Sequence, residues 1–579
     1  MNRPRLASLR WLKLFSVFML LALAACGGSP PATVQPTQAA AAPDAAATAA
    51  PAATAAPAAT AAPPPTSTPV PVATPVAQIA TSGKLVFAGN EEPDSIDAID
   101  VVSVNAIEVV AQMFETLVYI DQKQKIHPGL ATEWERSDDA KIWTFKLVQT
   151  AKWHDGTPFN AQSVVDHFEY IRTSDDIKGS ISSGLKPILN KAEKVDDFTV
   201  KITLNAARPD FLVDLAEPAA GIDNIANKQK LGPDAGFNPI GTGPFKFKEW
   251  IRGSQITLVP NPDWTWGSPI FGASGPPKVE ELVFRFIPEA QTRLATLESG
   301  ESHFIDMLPF QEMTRLREDT RFTVSGFLLP GLPQMNYFNT TLAPTDDINV
   351  RKAIIYATDK TSIISSVYFD LVEPAYGPLS RAFPEYDPGI EKLYSYDPDK
   401  ARALLDEAGW VPGADGIREK DGKRLEVTIV ENKSWNDWVY LLQANLQEVG
   451  FDAKVLTTQG PSNTEAISSG KYQVPAMGDV FTAASQMTRD WESKGYGTFP
   501  SGHFWPDKTL DTMLYDAQSE LDQAKRKEKY SKIQFYIMEN ALMVPIFELY
   551  FYAAHAKNLK GFVVDGSGFY KWFAGAYFE

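Results

Sequence analysis

The chain has 579 residues, is 44% apolar by residue, and carries a formal net charge of -17. Its length provides two or three structural domains with sizeable cores, and an acidic balance with no basic stripe excludes a nucleic-acid partner. A single cysteine, Cys26, excludes disulfides and a cysteine-based zinc site from the rest of the chain.

Arg3, Arg5, Arg10 and Lys13 make a positive leader, and Leu14 to Ala22 form an apolar stretch too short to cross a bilayer. Leu23-Ala24-Ala25-Cys26 follows. Small residues before a cysteine let a signal peptidase approach the backbone, and the pattern resembles a lipobox. Residues 1–25 are therefore expected to be a lipoprotein signal peptide, with Cys26 carrying lipid that holds the chain at the membrane. Each buried lipid methylene adds roughly 0.8 kcal/mol. From Gly27 to Gln78 the chain is nearly all Ala, Pro and Thr, a composition without the means to form a packed core. Residues 26–82 read as the lipidated cysteine and a disordered tether, extended at about 3 Å per residue by its prolines.

Composition changes at Gly83. Lys84 to Ala88 reads as a short strand and Glu91-Glu92-Pro93-Asp94-Ser95 as a turn. A helix is predicted through Ala106, Val109, Val110, Met113, Phe114 and Leu117, whose spacing makes one apolar face. Trp143, Phe145 and Leu147 alternate as a half-buried strand. In Trp153-His154-Asp155-Gly156-Thr157-Pro158-Phe159-Asn160 an acid–base pair is conceivable at His154 and Asp155, but no nucleophile or third group accompanies them. A tight turn at Asp155-Gly156 and an N-cap at Asn160 explain the residues better. Gly241-Thr242-Gly243-Pro244 lacks the third glycine and the lysine of a phosphate loop and reads as a bend before a strand at Phe245 and Phe247. Asp347 to Ile355 is a capped helix, and Tyr396-Asp397-Pro398 starts another that ends at Gly409. No later stretch has the apolar length of a second membrane span.

These segments, with Asn238 to Phe245, Asn261-Pro262-Asp263-Trp264, Leu297-Glu298-Ser299-Gly300-Glu301, Asp347 to Ile354 and Tyr396 to Leu405, occur in order along the chain. Together they resemble the family 5 extracytoplasmic solute-binding proteins, the peptide, dipeptide and nickel binding components of ATP-binding-cassette importers. The resemblance implies an α/β, two-lobed, periplasmic-binding-protein-like clamshell with a hinge and an extra inserted domain, of the class II, cluster C type. It places the N-terminal lobe at 83–120, 251–344 and 546–579, the inserted domain at 121–250 and the C-terminal lobe at 345–545. The expected function is capture of a peptide or similar solute between the lobes for delivery to the permease of an ABC transporter. No enzymatic role is implied. An oligosaccharide ligand is the alternative within the family, and an exported hydrolase or sensory subunit the alternative outside it.

By the same resemblance Val102, Ser103, Val104 and Asn105 would run along an extended ligand and bond its backbone. Peptide-binding members pair an aspartate in a Trp-x-x-Asp-Tyr pattern with the ligand's α-ammonium. Here the region reads Val474-Pro475-Ala476-Met477-Gly478-Asp479-Val480-Phe481, so Asp479 is the nearest acid but lacks both aromatic flanks. Gln486, Arg489, Asp490, Trp491, Tyr496, Phe504 and Trp505 follow among glycines. Aromatics with a few polar groups suit a cleft wall or a core edge, and Phe481, Arg489 and Trp491 are expected to face the ligand. His127, His154, His167, His303, His503 and His555 have no short paired spacing, so no metal and no cofactor is expected. The partners expected are the ligand, the permease and, through Cys26, the membrane; the chain is expected to be an extracytoplasmic monomer.

Overall fold

The computed structural model describes residues 83–272, 275–432, 437–459, 461–495 and 505–579. The expected signal peptide, Cys26, the tether, Tyr496 and Phe504 lie outside them.

Three sheets organise this part. The first has seven strands in the order Phe322–Leu328, Tyr550–Ala556, Phe304–Asp306, Lys84–Gly89, Glu281–Phe286, Gln255–Pro260, Phe245–Ile251. Lys84–Gly89 runs parallel to both of its neighbours, and the outer strands are antiparallel. Phe87 lies 5.5 Å from both Phe284 and Phe304. Fully burying each such ring contributes about 1.5–3 kcal/mol.

The C-terminal residues close this lobe. Glu108 and Gln112 are one turn apart on the helix Val104–Met113 and face the same way. Glu108 accepts the Lys571 N–H at 3.1 Å, and Gln112 donates to the Lys571 carbonyl at 2.7 Å and accepts from the Phe573 N–H at 3.0 Å. The Lys571 ammonium is buried 4.2 Å from the centre of the Phe551 ring.

The second sheet runs Asp452–Thr458, Glu426–Asn432, Val474–Val480, Gly331–Tyr337, Met543–Phe547. Glu426–Asn432, next to its edge, is parallel to both neighbours, and Val427, Ile429, Trp438 and Leu442 fill its core. The third sheet is four-stranded and antiparallel, in the order Ala131–Arg136, Ile142–Leu147, Thr199–Leu204, Leu189–Asp196, and the helix Ala161–Thr173 packs on it. Trp143, Phe145 and Leu147 point inward with exposed or half-buried residues between them, as their alternation requires.

Conserving local chemistry explains the element ends. Asn160 accepts from the N–H groups of Gln162 and Ser163, and Asp347 and Asp397 cap Ile348–Ala357 and Pro398–Glu407. The helix predicted through Leu117 stops at Met113, where Phe114 turns to extended backbone. His154 and the glycine bend belong to one structural unit: the ring Nδ1 accepts the Gly241 N–H at 3.2 Å, and Nε2 sits 3.1 Å from the Gly243 carbonyl. Burial lowers His154 to about 4, so it is a neutral clasp. Asp155 instead accepts from the N–H and hydroxyl of Thr157.

The chain passes between the first and second sheets at 328–331 and again at 547–550. The two crossings are bonded to each other, Leu329 N–H to Leu549 carbonyl at 2.8 Å. The first crossing precedes the expected lobe boundary at 344, because Gly331–Tyr337 already pairs with Val474–Val480 and Met543–Phe547. Phe245–Ile251, nearly all of it expected in the inserted domain, instead forms the edge of the first sheet.

Candidate ligand-binding cleft

The strand Val474–Val480 carries Asp479, the acid expected to face a ligand. Its end is fixed beside the crossing, where Leu332 pairs with Asp479 and Gly331 with Val480. Gly331 has φ +136, and a Cβ there would meet the Asp479 carbonyl oxygen at 2.0 Å. Only glycine permits this approach. The chain then turns through Phe481 and Thr482 into the short helix Met487–Trp491, where Met487, Thr488, Asp490 and Trp491 are buried and Arg489 is exposed.

Arg489 Nη2 pairs with Asp479 Oδ2, and its Nε lies 3.5 Å from Asp490 Oδ1. Asp479 keeps 23% of its side-chain surface and Arg489 44%, yet burial raises the Asp479 carboxyl. Surface that water reaches while protein shields most directions is what lining a recess produces. Burial pushes Asp490 up to about 8.

Side chains of the two lobes pair across this region. Thr482 donates its hydroxyl to Glu217, whose carboxyl burial pushes up to about 7. Arg526, on the helix Gln523–Glu539, pairs with Asp210 across the gap and with Glu385 at 3.0 Å on its own side. Arg208 grips Asp214 with two bonds of 2.9 and 3.0 Å close by. Tyr570, from the C-terminal residues of the first lobe, lies within the field of Glu217, Asp565, Glu108 and Asp479. Polar groups from both lobes thus converge on one buried region beside the hinge.

Of the residues expected to face ligand, Asp479 and Arg489 come together here. Trp491 does not face the cleft: it is 0% exposed and its ring meets Tyr337 edge-on at 5.0 Å. Phe481 is likewise core, stacked on Phe383 at 5.7 Å. The five-residue helix turns one side outward, and Arg489 occupies it. In the first lobe, Val102 is exposed, Ser103 caps the helix through the Ala106 N–H, and Val104 packs on the core. Asn105 donates to Asn90 at 2.9 Å and to the Glu91 carbonyl at 3.0 Å. Those bonds hold the loop after Lys84–Gly89 and do not reach the second lobe.

Glu217 and Thr482 were not singled out from the sequence. Glu217 had a signal, a lone charge within Leu215-Ala216-Glu217-Pro218-Ala219-Ala220, which marks a buried carboxyl needing a partner. Arg526 lies in the run Lys525-Arg526-Lys527 and had none. Among the described residues no group of three or more His, Cys, Asp or Glu side chains is arranged to hold a metal ion. His167 accepts the Asp223 N–H and His303 the Val86 N–H, both as structural acceptors.

A family profile described as "Bacterial extracellular solute-binding proteins, family 5 Middle" matches residues 125–493. The chain is 28% identical over 475 residues to the dipeptide-binding protein of Escherichia coli K12, covering 77% of this chain and 85% of that one. It is 29% identical over 494 residues to the glutathione-binding protein GsiB of the same strain, covering 82% and 90%. Among solved structures, the ABC transporter-associated periplasmic binding protein DppA of Helicobacter pylori in complex with the peptide STSA superposes with a TM-score of 0.73 at 24% identity, covering 86% and 98%.

Proposed function

This chain belongs to the bacterial extracellular solute-binding proteins of family 5, and from that premise we propose that it captures a peptide between its two lobes and hands it to an ABC transporter permease. The observation that carries the reading is the convergence of Asp479, Arg489 and Thr482 with Glu217 beside the paired crossings of the hinge. Function on this reading is closure around a solute, with no bond made or broken. A ligand drives closure only by the extra affinity it has for the closed form, and the Glu217–Thr482 and Arg526–Asp210 contacts add to that form from the protein's side.

The names of the relatives, one dipeptide-binding and one glutathione-binding, support a peptide. Burial of Trp491 and Phe481 removes two aromatic surfaces on which a sugar would stack, which counts against an oligosaccharide. We draw the lobes at the crossings 328–331 and 547–550, with the sheet of 131–204 as the insertion. Two acyl chains on Cys26 would anchor the receptor stably where one would not, and the tether would keep it near its permease, raising the effective concentration.

A thermal-shift series on the full chain and on Cys26→Ser tests both parts. Trialanine is expected to raise the melting midpoint of both proteins in proportion to the logarithm of its concentration, while only the wild type stays with the membrane fraction. No shift with trialanine contradicts the peptide reading, and retention of Cys26→Ser in membranes contradicts the anchor.

A further inference from the structure

We infer that Arg489 sets the charge class of the ligand: it neutralises Asp479 and offers its remaining donors to a carboxylate, so the cleft selects peptides by an acidic group and does not require a free ammonium. This rests on the reading of the cleft as a peptide site.

Arg489 is the exposed member of an otherwise buried helix, and its guanidinium turns back onto Asp479 beside the strand end that lines the cleft. Its contacts with Asp479 and Asp490 use Nη2 and Nε. Nη1 has no protein acceptor among the described residues, and nearly half of the side chain is accessible. A guanidinium presents five N–H donors in a planar fork, so it can keep Asp479 and still take a carboxylate oxygen with a charge-assisted bond.

An ammonium arriving at Asp479 meets a different situation. It must displace Arg489 from the carboxylate or sit next to its positive charge, and like-charge juxtaposition of this kind weakens binding. Without Arg489, Asp479 would be left with no cation paired to it, which favours a ligand ammonium there. One side chain therefore decides between two ligand classes.

Calorimetry on the full-length protein with three probes tests this: trialanine, N-acetyl-trialanine, which has a carboxylate and no ammonium, and trialanine amide, which has an ammonium and no carboxylate. The wild type is expected to bind N-acetyl-trialanine about tenfold or more tighter than the amide, and Arg489→Met to reverse that order. Arg489→Lys, with the charge but not the fork, is expected to fall between them. If Arg489→Met does not fold, Asp479→Asn serves instead, and it should widen the preference for N-acetyl-trialanine. Preference of the wild type for the amide, or an order unchanged in Arg489→Met, overturns the inference while leaving peptide capture standing. Failure of the wild type to bind any of the three overturns the peptide reading, and the inference with it.

Discussion

At the scale of single residues, the cleft separates side chains that look alike in the sequence. Trp491 and Arg489 are two positions apart, yet one is wholly buried against Tyr337 and the other exposed beside Asp479. Trp491→Ala therefore leaves a cavity in the second lobe and should cost about 3–5 kcal/mol of stability, read as a lowered denaturation midpoint; an unchanged midpoint would return Trp491 to the cleft. On the proposed closure, Glu217 gives a pH dependence with a definite sign. Between closed lobes burial pushes its carboxyl up to about 7, whereas a carboxyl facing water in separated lobes ionises near its ordinary value of about 4.3. The closed form then holds the proton that the open form has released. Closure is favoured at low pH, and the advantage is lost as pH rises through about 7. Affinity for trialanine should fall about tenfold from pH 6 to pH 8, and Glu217→Gln should flatten that profile. A profile equally steep in both proteins would remove Glu217 from closure.

At the scale of elements, the sequence was most informative where the physics is local. The caps at Asn160, Asp347 and Asp397 were legible because a side chain bonds an N–H two or three residues away. The strand at Trp143, Phe145 and Leu147 was legible from its alternation. His154 was placed correctly in a turn region, but its clasp on Gly241 and Gly243, 87 and 89 residues away, depends on tertiary contacts that periodicity does not report. The crossing itself was not read from the sequence, although Pro330-Gly331 punctuates the chain there. That glycine also makes an element-scale prediction. Gly331→Ala forces a Cβ against the Asp479 carbonyl and an L-residue into positive φ, a strain of about 1–3 kcal/mol. Because Gly331 holds the strand end that carries Asp479, the substitution should weaken trialanine binding and lower the melting midpoint together. Loss of stability with unchanged affinity would detach the strand end from the site.

At the scale of the whole molecule, the fold sets two lobes beside each other. Two crossings bonded through Leu329 and Leu549 join the lobes, the helix Val104–Met113 grips the C-terminal residues to complete the first lobe, and Arg526 and Thr482 reach across to Asp210 and Glu217. The polar pairs across the gap were invisible in the sequence because each partner lies in a different lobe and hundreds of residues from the other. What the sequence did carry was the order of the scaffold segments, and with it the family. We propose that this molecule holds one intact solute between its lobes. Native mass spectrometry of the full chain mixed with trialanine tests it most directly: a single added mass equal to the uncleaved peptide is expected, lost on adding excess competitor. Release of alanine or dialanine, or no added mass at saturating peptide, would contradict it.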